Sequence, residues 1–321
     1  MTEILTSALI LALVLPHLLP LSTASPSVAA TIWLSTLALR ALTVLFLALY
    51  FVLFFPNTEA FSAITHWCWH TVLPLVTTHM GLDGHRIGDA AIIVPPFVLA
   101  FSAVSVGVGV FRAARAVHGM LVRSSLGQGP RDSLIVGGAG VLLAAAGITR
   151  PRVLVSAGAL TALDDDELAA GLDHERAHIV RRHRFVLVFA EMMRAFARFL
   201  PGTGSTLGEL RFHLERDADR WAVAQSHDPH ALASAICKAA TTRGSAVPGL
   251  ALLSGHGHAT RRVDELIEPN SRRPGRVARR SLALAAAVMV CFTLAIAVSV
   301  PAVALAGIQQ GQLEQQRHCQ D

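Results

Sequence analysis

His174, Glu175 and His178 spell H-E-x-x-H. On a helix, residues four apart stand one turn above the other on one face. Two imidazoles can then meet a single Zn²⁺, and the glutamate beside the first can reach a water as its base. That set suits metal-assisted hydrolysis. The plain competing reading is a solvated helix face with two incidental histidines. The motif needs a helix over Leu168 to Arg182, and signals outside the motif supply one. Asp164 opens D-D-D-E as an N-cap with Glu167 three residues on, a capping-box pattern with acids where the helix dipole favours them. Arg181, Arg182 and His183 suit its C-terminal end.

Two histidines leave a catalytic zinc one protein ligand short. After an apolar stretch from Arg184 to Leu200, Pro201 to Ser205 breaks the chain. A second helix, about Leu207 to Gln225, carries E-R-D-A-D from Glu215 to Asp219. Glu215 is the candidate third ligand. Asp219, one turn later, would hold a ligand imidazole N–H. His183, Glu191, Glu209 and His213 compete, and chemistry alone does not rank them. Glu215 and Asp219 could instead pair with Arg211, Arg216 or Arg220 at helical spacing. An oxyanion donor is sought around G-H-A-T-R-R-V, among His256, His258, Arg261 and Arg262, with His258 and Arg262 singled out. Tyrosine is an unlikely donor because the single one, Tyr50, lies in an apolar segment.

The elements around these residues point to a membrane. The 321 residues are 53% hydrophobic and 15% charged, outside the range of an ordinary soluble domain. Four segments are long and apolar enough to cross a bilayer: about Ile4 to Leu21, Ile32 to Phe55, Ala90 to Phe111 and Leu282 to Ala306. The first carries Glu3 and no positive charge before it, which favours a retained span over a signal peptide. Arg112, Arg115 and Arg123 follow the third, and Arg272, Arg273, Arg276, Arg279 and Arg280 precede the fourth. The positive-inside rule then puts 112–280 in the cytosol, with an outer loop at 56–89 and a short outer tail at 308–321. Ser133 to Ile148 is uncharged but short, glycine-rich and flanked by arginines at both ends. It reads as strands of a small sheet continuing into Val153 to Val155. The expected fold is thus an α-helical integral membrane protein of four spans. Residues 1–111 hold three of them and 281–307 the fourth, with a mostly helical α+β metalloprotease domain between.

Other features carry less. The outer loop holds His66, Cys68 and His70 in H-W-C-W-H, then His79 and His85, a conceivable metal or pH sensor set against aromatic residues near a membrane interface. Gly81 to Gly84 imitates the L-D-G of intramembrane site-two proteases, but precedes the zinc motif instead of following it. The four cysteines are too scattered for a zinc site, and a Cys68–Cys319 disulfide is allowed if both face outward. The arginine run at 272–280 reads as an anchor on anionic lipid, not a nucleic-acid site.

His174 to His178 preceded by D-D-D-E-L, the P-R-V-L-V-S strand (Pro151 to Ser156), Glu215-x-x-Ala-Asp219 and Asp228-Pro229-x-x-Leu232-Ala233 together resemble the BlaR/MecR-type membrane metallopeptidases over Arg112 to Ala306. The resemblance implies a gluzincin with one Zn²⁺ on the two histidines and Glu215, selecting it over its rivals. It also implies a cytosolic winged-helix repressor, BlaI/MecI-like, as substrate, and hence antirepressor signalling in antibiotic resistance from a bacterial plasma membrane. Two departures are visible. About fifteen residues follow Ala306, too few for the family's penicillin-binding sensor, and Asp173 stands where relatives often have a small residue. An HtpX-type quality-control protease also carries H-E-x-x-H and a downstream Glu, with two apolar segments before the motif and two after it. Three before and one after favours the first resemblance. A non-catalytic transducer would have no need of Glu175.

Overall fold

The computed structural model describes residues 16–53, 97–112, 125–147, 151–225, 227–241, 258–268 and 275–318, with scattered positions before 16 and between 113 and 119. The outer loop, with its histidines, Cys68 and the L-D-G, lies outside the described residues, as do His256 and Cys319.

Among the described residues, two helices are long and apolar enough to cross a membrane: α1 (Pro26–Leu53), over Pro26–Leu49, and the last helix, over Arg276–Ser299. They correspond to the expected second and fourth spans. The expected third span is described only as α2, an apolar helix over Phe97–Arg112, and the described residues of the first are helical up to Leu18.

A four-stranded sheet follows: β1 (Ser125–Gln128), β2 (Leu134–Val136), β3 (Leu143–Ala146) and β4 (Arg152–Ser156), in the order β1-β2-β4-β3. The uncharged run is therefore strand, as its arginine flanks predict. β4 pairs parallel with β2 and antiparallel with β3. Ser156 ends β4, its hydroxyl donating to Gly140 O and accepting from Leu142 N and Ala159 N. One side chain thus closes the sheet and caps the short α3 (Ala157–Ala162).

α4 (Asp165–Val180) carries the motif. Its start is the capping box read from D-D-D-E: Glu167 N donates to Asp164 Oδ1 at 2.8 Å, and Asp164 N to Glu167 Oε2 at 3.0 Å. It ends earlier than the basic run suggests. Arg182 sits at φ 58°, in the left-handed region, and His183 opens the next helix, α5 (His183–Phe196). Gly202, at φ 76°, makes the following turn, and α6 (Thr203–Ala224) returns past α4. α7 (Pro229–Thr241), α8 (Ala259–Ile267) and α9 (Arg276–His318) complete the chain.

Two cores result. Leu154 and Val155 of β4, Leu172 of α4 and Ala235 of α7 are buried between sheet and helices. A larger core joins Ala30, Trp33 and Leu37 of α1, Leu187 and Ala190 of α5, Leu207, Leu210 and Leu214 of α6, and Leu282, Ala286 and Met289 of α9. Full burial of one such leucine contributes roughly 1.5–3 kcal/mol. The apolar α1 is thereby bolted onto the hairpin of α5 and α6. Arg40, buried within α1, donates to Pro201 O at 3.2 Å at the hairpin turn and to Ala12 O at 3.3 Å.

Candidate metal site

Helical spacing puts His174 and His178 on one face of α4, and α6 crosses that face with Glu215. The Nε2 atoms of the two histidines are 3.3 Å apart; His174 Nε2 is 3.4 Å from Glu215 Oε2, and His178 Nε2 is 3.6 Å from Glu215 Oε1. A tetrahedral zinc with bonds of about 2.0–2.1 Å needs ligand atoms roughly 3.3–3.4 Å apart. The three groups lie close to that spacing, and among the described residues they are the cluster that could hold a metal ion.

The other ring nitrogens are held from behind. His174 Nδ1 lies 2.9 Å from Asp219 Oδ1, one turn beyond Glu215. His178 Nδ1 lies 3.0 Å from His183 Nδ1, and His183 Nε2 lies 3.4 Å from Asp217 Oδ2. With Nε2 of His178 kept free for a metal, its Nδ1–H donates to His183, whose Nε2–H faces the carboxylate. His183, a rival ligand by sequence, thus lies behind His178 and not in the cluster. The other rivals are engaged elsewhere. Glu191 pairs with Arg194 and Arg211, and Glu209 with Arg261. His213 meets Arg216 Nη1 at 3.0 Å, and burial with nearby arginines pushes it down to about 3.

Glu175 faces the sheet. Its Oε2 accepts from Ala145 N at 2.7 Å on β3. The approach is close because residue 171 is glycine: a Cβ there would meet Leu143 Cδ1 at 2.5 Å. Burial first, then the Glu215 carboxylate, push Glu175 up to about 7, the range in which a carboxylate can both take and give a proton at neutral pH. Burial opposes charge on both histidines. It and the neighbouring cations hold His178 down to about 3, whereas Asp219 and Glu215 outweigh it at His174 and raise that ring to about 9.

Arg262 of α8, one of the residues of G-H-A-T-R-R-V, enters the site. It is buried, forks onto Asp219 at 2.6 and 2.9 Å, reaches Glu215 Oε2 at 2.8 Å and approaches His174 Nε2 at 3.4 Å. Glu215 and Asp219 both pair with this arginine of a distant helix. His258 packs its ring on Phe212, 5.2 Å between centroids. The sequence signals miss the role of Asp173, which ties Arg131 of the β1–β2 turn and His227 after α6 to the zinc helix, the latter at 2.7 Å. A buried carboxylate next to a ligand histidine was visible as a departure. Its partners, 42 and 54 residues away, were not.

Val153 to Ser156 offers no free edge to a substrate strand, because β4 is interior and hydrogen-bonded on both sides; the sheet edge beside Glu175 is β3. No curated protein and no solved structure matches the chain. Residues 139–210 match the model of peptidase family M48, so β3, β4, the H-E-x-x-H helix, α5 and the start of α6 are similar to that family, while β1, β2, Glu215 and Asp219 lie outside the matched segment.

Proposed function

We propose that the chain is a membrane-anchored zinc endopeptidase with a cytosolic active site, signalling by cleavage of a BlaI/MecI-like winged-helix repressor. The observation that carries the enzymatic reading is the convergence of His174 Nε2, His178 Nε2 and the Glu215 carboxylate at tetrahedral spacing, with Glu175 beside them. A bound zinc would acidify a water and polarise the scissile carbonyl. Glu175 takes the proton of the attacking water and delivers it to the leaving amine. Asp219 and His183 orient the two imidazoles. Arg262 places positive charge beside the ligands, where it compensates Glu215 and the charge developing on the substrate oxygen. A substrate strand adds to the open edge of β3, next to Glu175.

The motif order and the E-x-x-A-D segment support the repressor as substrate. The arginines before α9 and after α2 support the cytosolic placement within four spans. A second reading, an HtpX-like membrane quality-control protease, draws on the M48 match, which covers the peptidase core and nothing particular to an antirepressor.

The test compares wild type and Glu175→Ala in membranes, matched for amount and bound zinc, with a co-expressed winged-helix repressor followed by immunoblot. Cleavage by wild type alone supports the proposal. Zinc-dependent cleavage of a misfolded membrane protein with the repressor left intact selects the second reading. Relief of repression by both variants without cleavage replaces the enzyme with a transducer.

A further inference from the structure

α5 has three faces. Leu187, Ala190 and Met193 are buried in the core shared with α1 and α9. Arg184, Glu191, Arg194 and Arg198 lie elsewhere on the helix, Glu191 bonded to Arg194 and to Arg211 of α6. The third face is open and apolar: Phe185 is 48% exposed, Phe189 41%, Met192 36%, and Phe199, just past the helix end, 65%. At 3.6 residues per turn Phe185, Phe189 and Met192 form one stripe, with no charged residue of the helix within about a quarter turn of its centre, and Phe199 follows just past the helix end.

Exposed large apolar side chains are not spread over this protein. Among the described residues they concentrate on the N-terminal apolar segment (Ile10, Val14, Leu18), on α2 (Phe97 through Phe111) and on α9 (Val277 through Val298). Within the catalytic domain, α5 is the one helix that shows a comparable row. With α6 and α9 it is fastened to α1: their apolar sides share a core, and the turn after α5 hangs on Arg40, fourteen residues into α1. If α1 crosses a bilayer, a rise of about 1.5 Å per residue carries that turn roughly 20 Å along the span. The open face of α5 is then continuous with the lipid-facing surface of the bundle.

We propose that the Phe185–Phe189–Met192–Phe199 face of α5 is seated in lipid acyl chains, so that the hairpin of α5 and α6 is a membrane-embedded part of the peptidase domain. Arg184 and Arg198 lean over the Phe185 and Phe199 rings at 4.6 and 5.3 Å, cation–π contacts at the two ends of the row. His183, the first residue of α5, touches His178, so the metal site stands at the bilayer surface. The substrate that reaches it is a segment held at that surface. The inference rests on the membrane-anchored reading above.

The test uses the full chain with Cys68, Cys237, Cys291 and Cys319 replaced by Ser, reconstituted into phosphatidylcholine–phosphatidylglycerol vesicles. A fluorophore is placed on Phe189→Cys, Phe199→Cys, Val288→Cys on the open side of α9, or Asp165→Cys at the exposed start of α4. Nitroxide-labelled acyl chains are expected to quench the labels at 189 and 199 as they quench 288, while iodide in the water reaches 165 alone. Quenching at 288 with 189 and 199 open to iodide overturns the proposal and leaves the anchor standing. Labels at 189 and 199 shielded from iodide but not quenched by lipid also overturn it, assigning the face to residues 54–96 or a second copy. No quenching at 288 removes the membrane anchor itself.

Discussion

The two motif histidines stand one turn apart on α4, yet their surroundings differ. His174 has a carboxylate behind it, Asp219, with Arg262 of α8 bridging that acid to Glu215. His178 has an imidazole behind it, His183, itself backed by Asp217. Identical side chains are thus tuned in opposite directions, one toward carrying a proton and one toward staying neutral. The lesson is that a ligand's character is set by what touches its non-coordinating nitrogen.

The largest expected effect is common to both halves of this comparison. Glu175→Gln should keep the metal, because neither imidazole loses its support, and lower peptidase activity by about 10²–10⁴. Zinc content and cleavage measured on one preparation check this, and parallel loss of metal would make Glu175 a structural residue.

The comparison itself is tested by Asp219→Asn against His183→Phe. Each removes the partner of one histidine, and each should weaken zinc binding by about 10–100-fold. Asp219→Asn is expected at the upper end, because it also leaves Arg262 with Glu215 as its one carboxylate partner among the described residues. Competition with a chelator reads the order, and a larger loss from His183→Phe would reverse it.

The pH dependence of zinc affinity separates the two rings more finely. In the metal-free protein His174 is raised to about 9, so below that pH its proton must leave before the metal binds. Apparent affinity should climb from neutral pH and level off near 9, with proton release seen by calorimetry in buffers of different ionisation enthalpy. His178, lowered to about 3, is already deprotonated and adds no slope there. In Asp219→Asn the levelling point should move to lower pH, since the carboxylate that raises His174 is gone; an unmoved point would refute that assignment.

The smallest effect concerns the helix that carries both. Asp164→Ala removes half of the capping box and should cost about 1 kcal/mol of stability, read by denaturation in detergent, with zinc stoichiometry unchanged.

How much of this was legible depends on the range of the interaction. The start of α4 and its one-turn ligand pair follow from residues within a few positions of one another, where capping and helical periodicity act. The sheet was legible as uncharged strand sequence flanked by arginines, but its order was not. Nothing within β4 says that both its edges are occupied and that β3 is the strand Glu175 meets. Glu215 could be named from the residues alone but not ranked, because any of five groups could fold back onto the histidines.

The sequence by itself determined the helix, its caps, the spacing of His174, Glu175 and His178, and the apolar segments, since these are local consequences of residue type. Tertiary structure decided which carboxylate closes the cluster, that Arg262 crosses from α8 to join it, and that His183 supports a ligand instead of being one. Those outcomes depend on how α6 and α8 are laid across α4 by the cores they share with α1 and α7, over separations at which side-chain type carries no positional information.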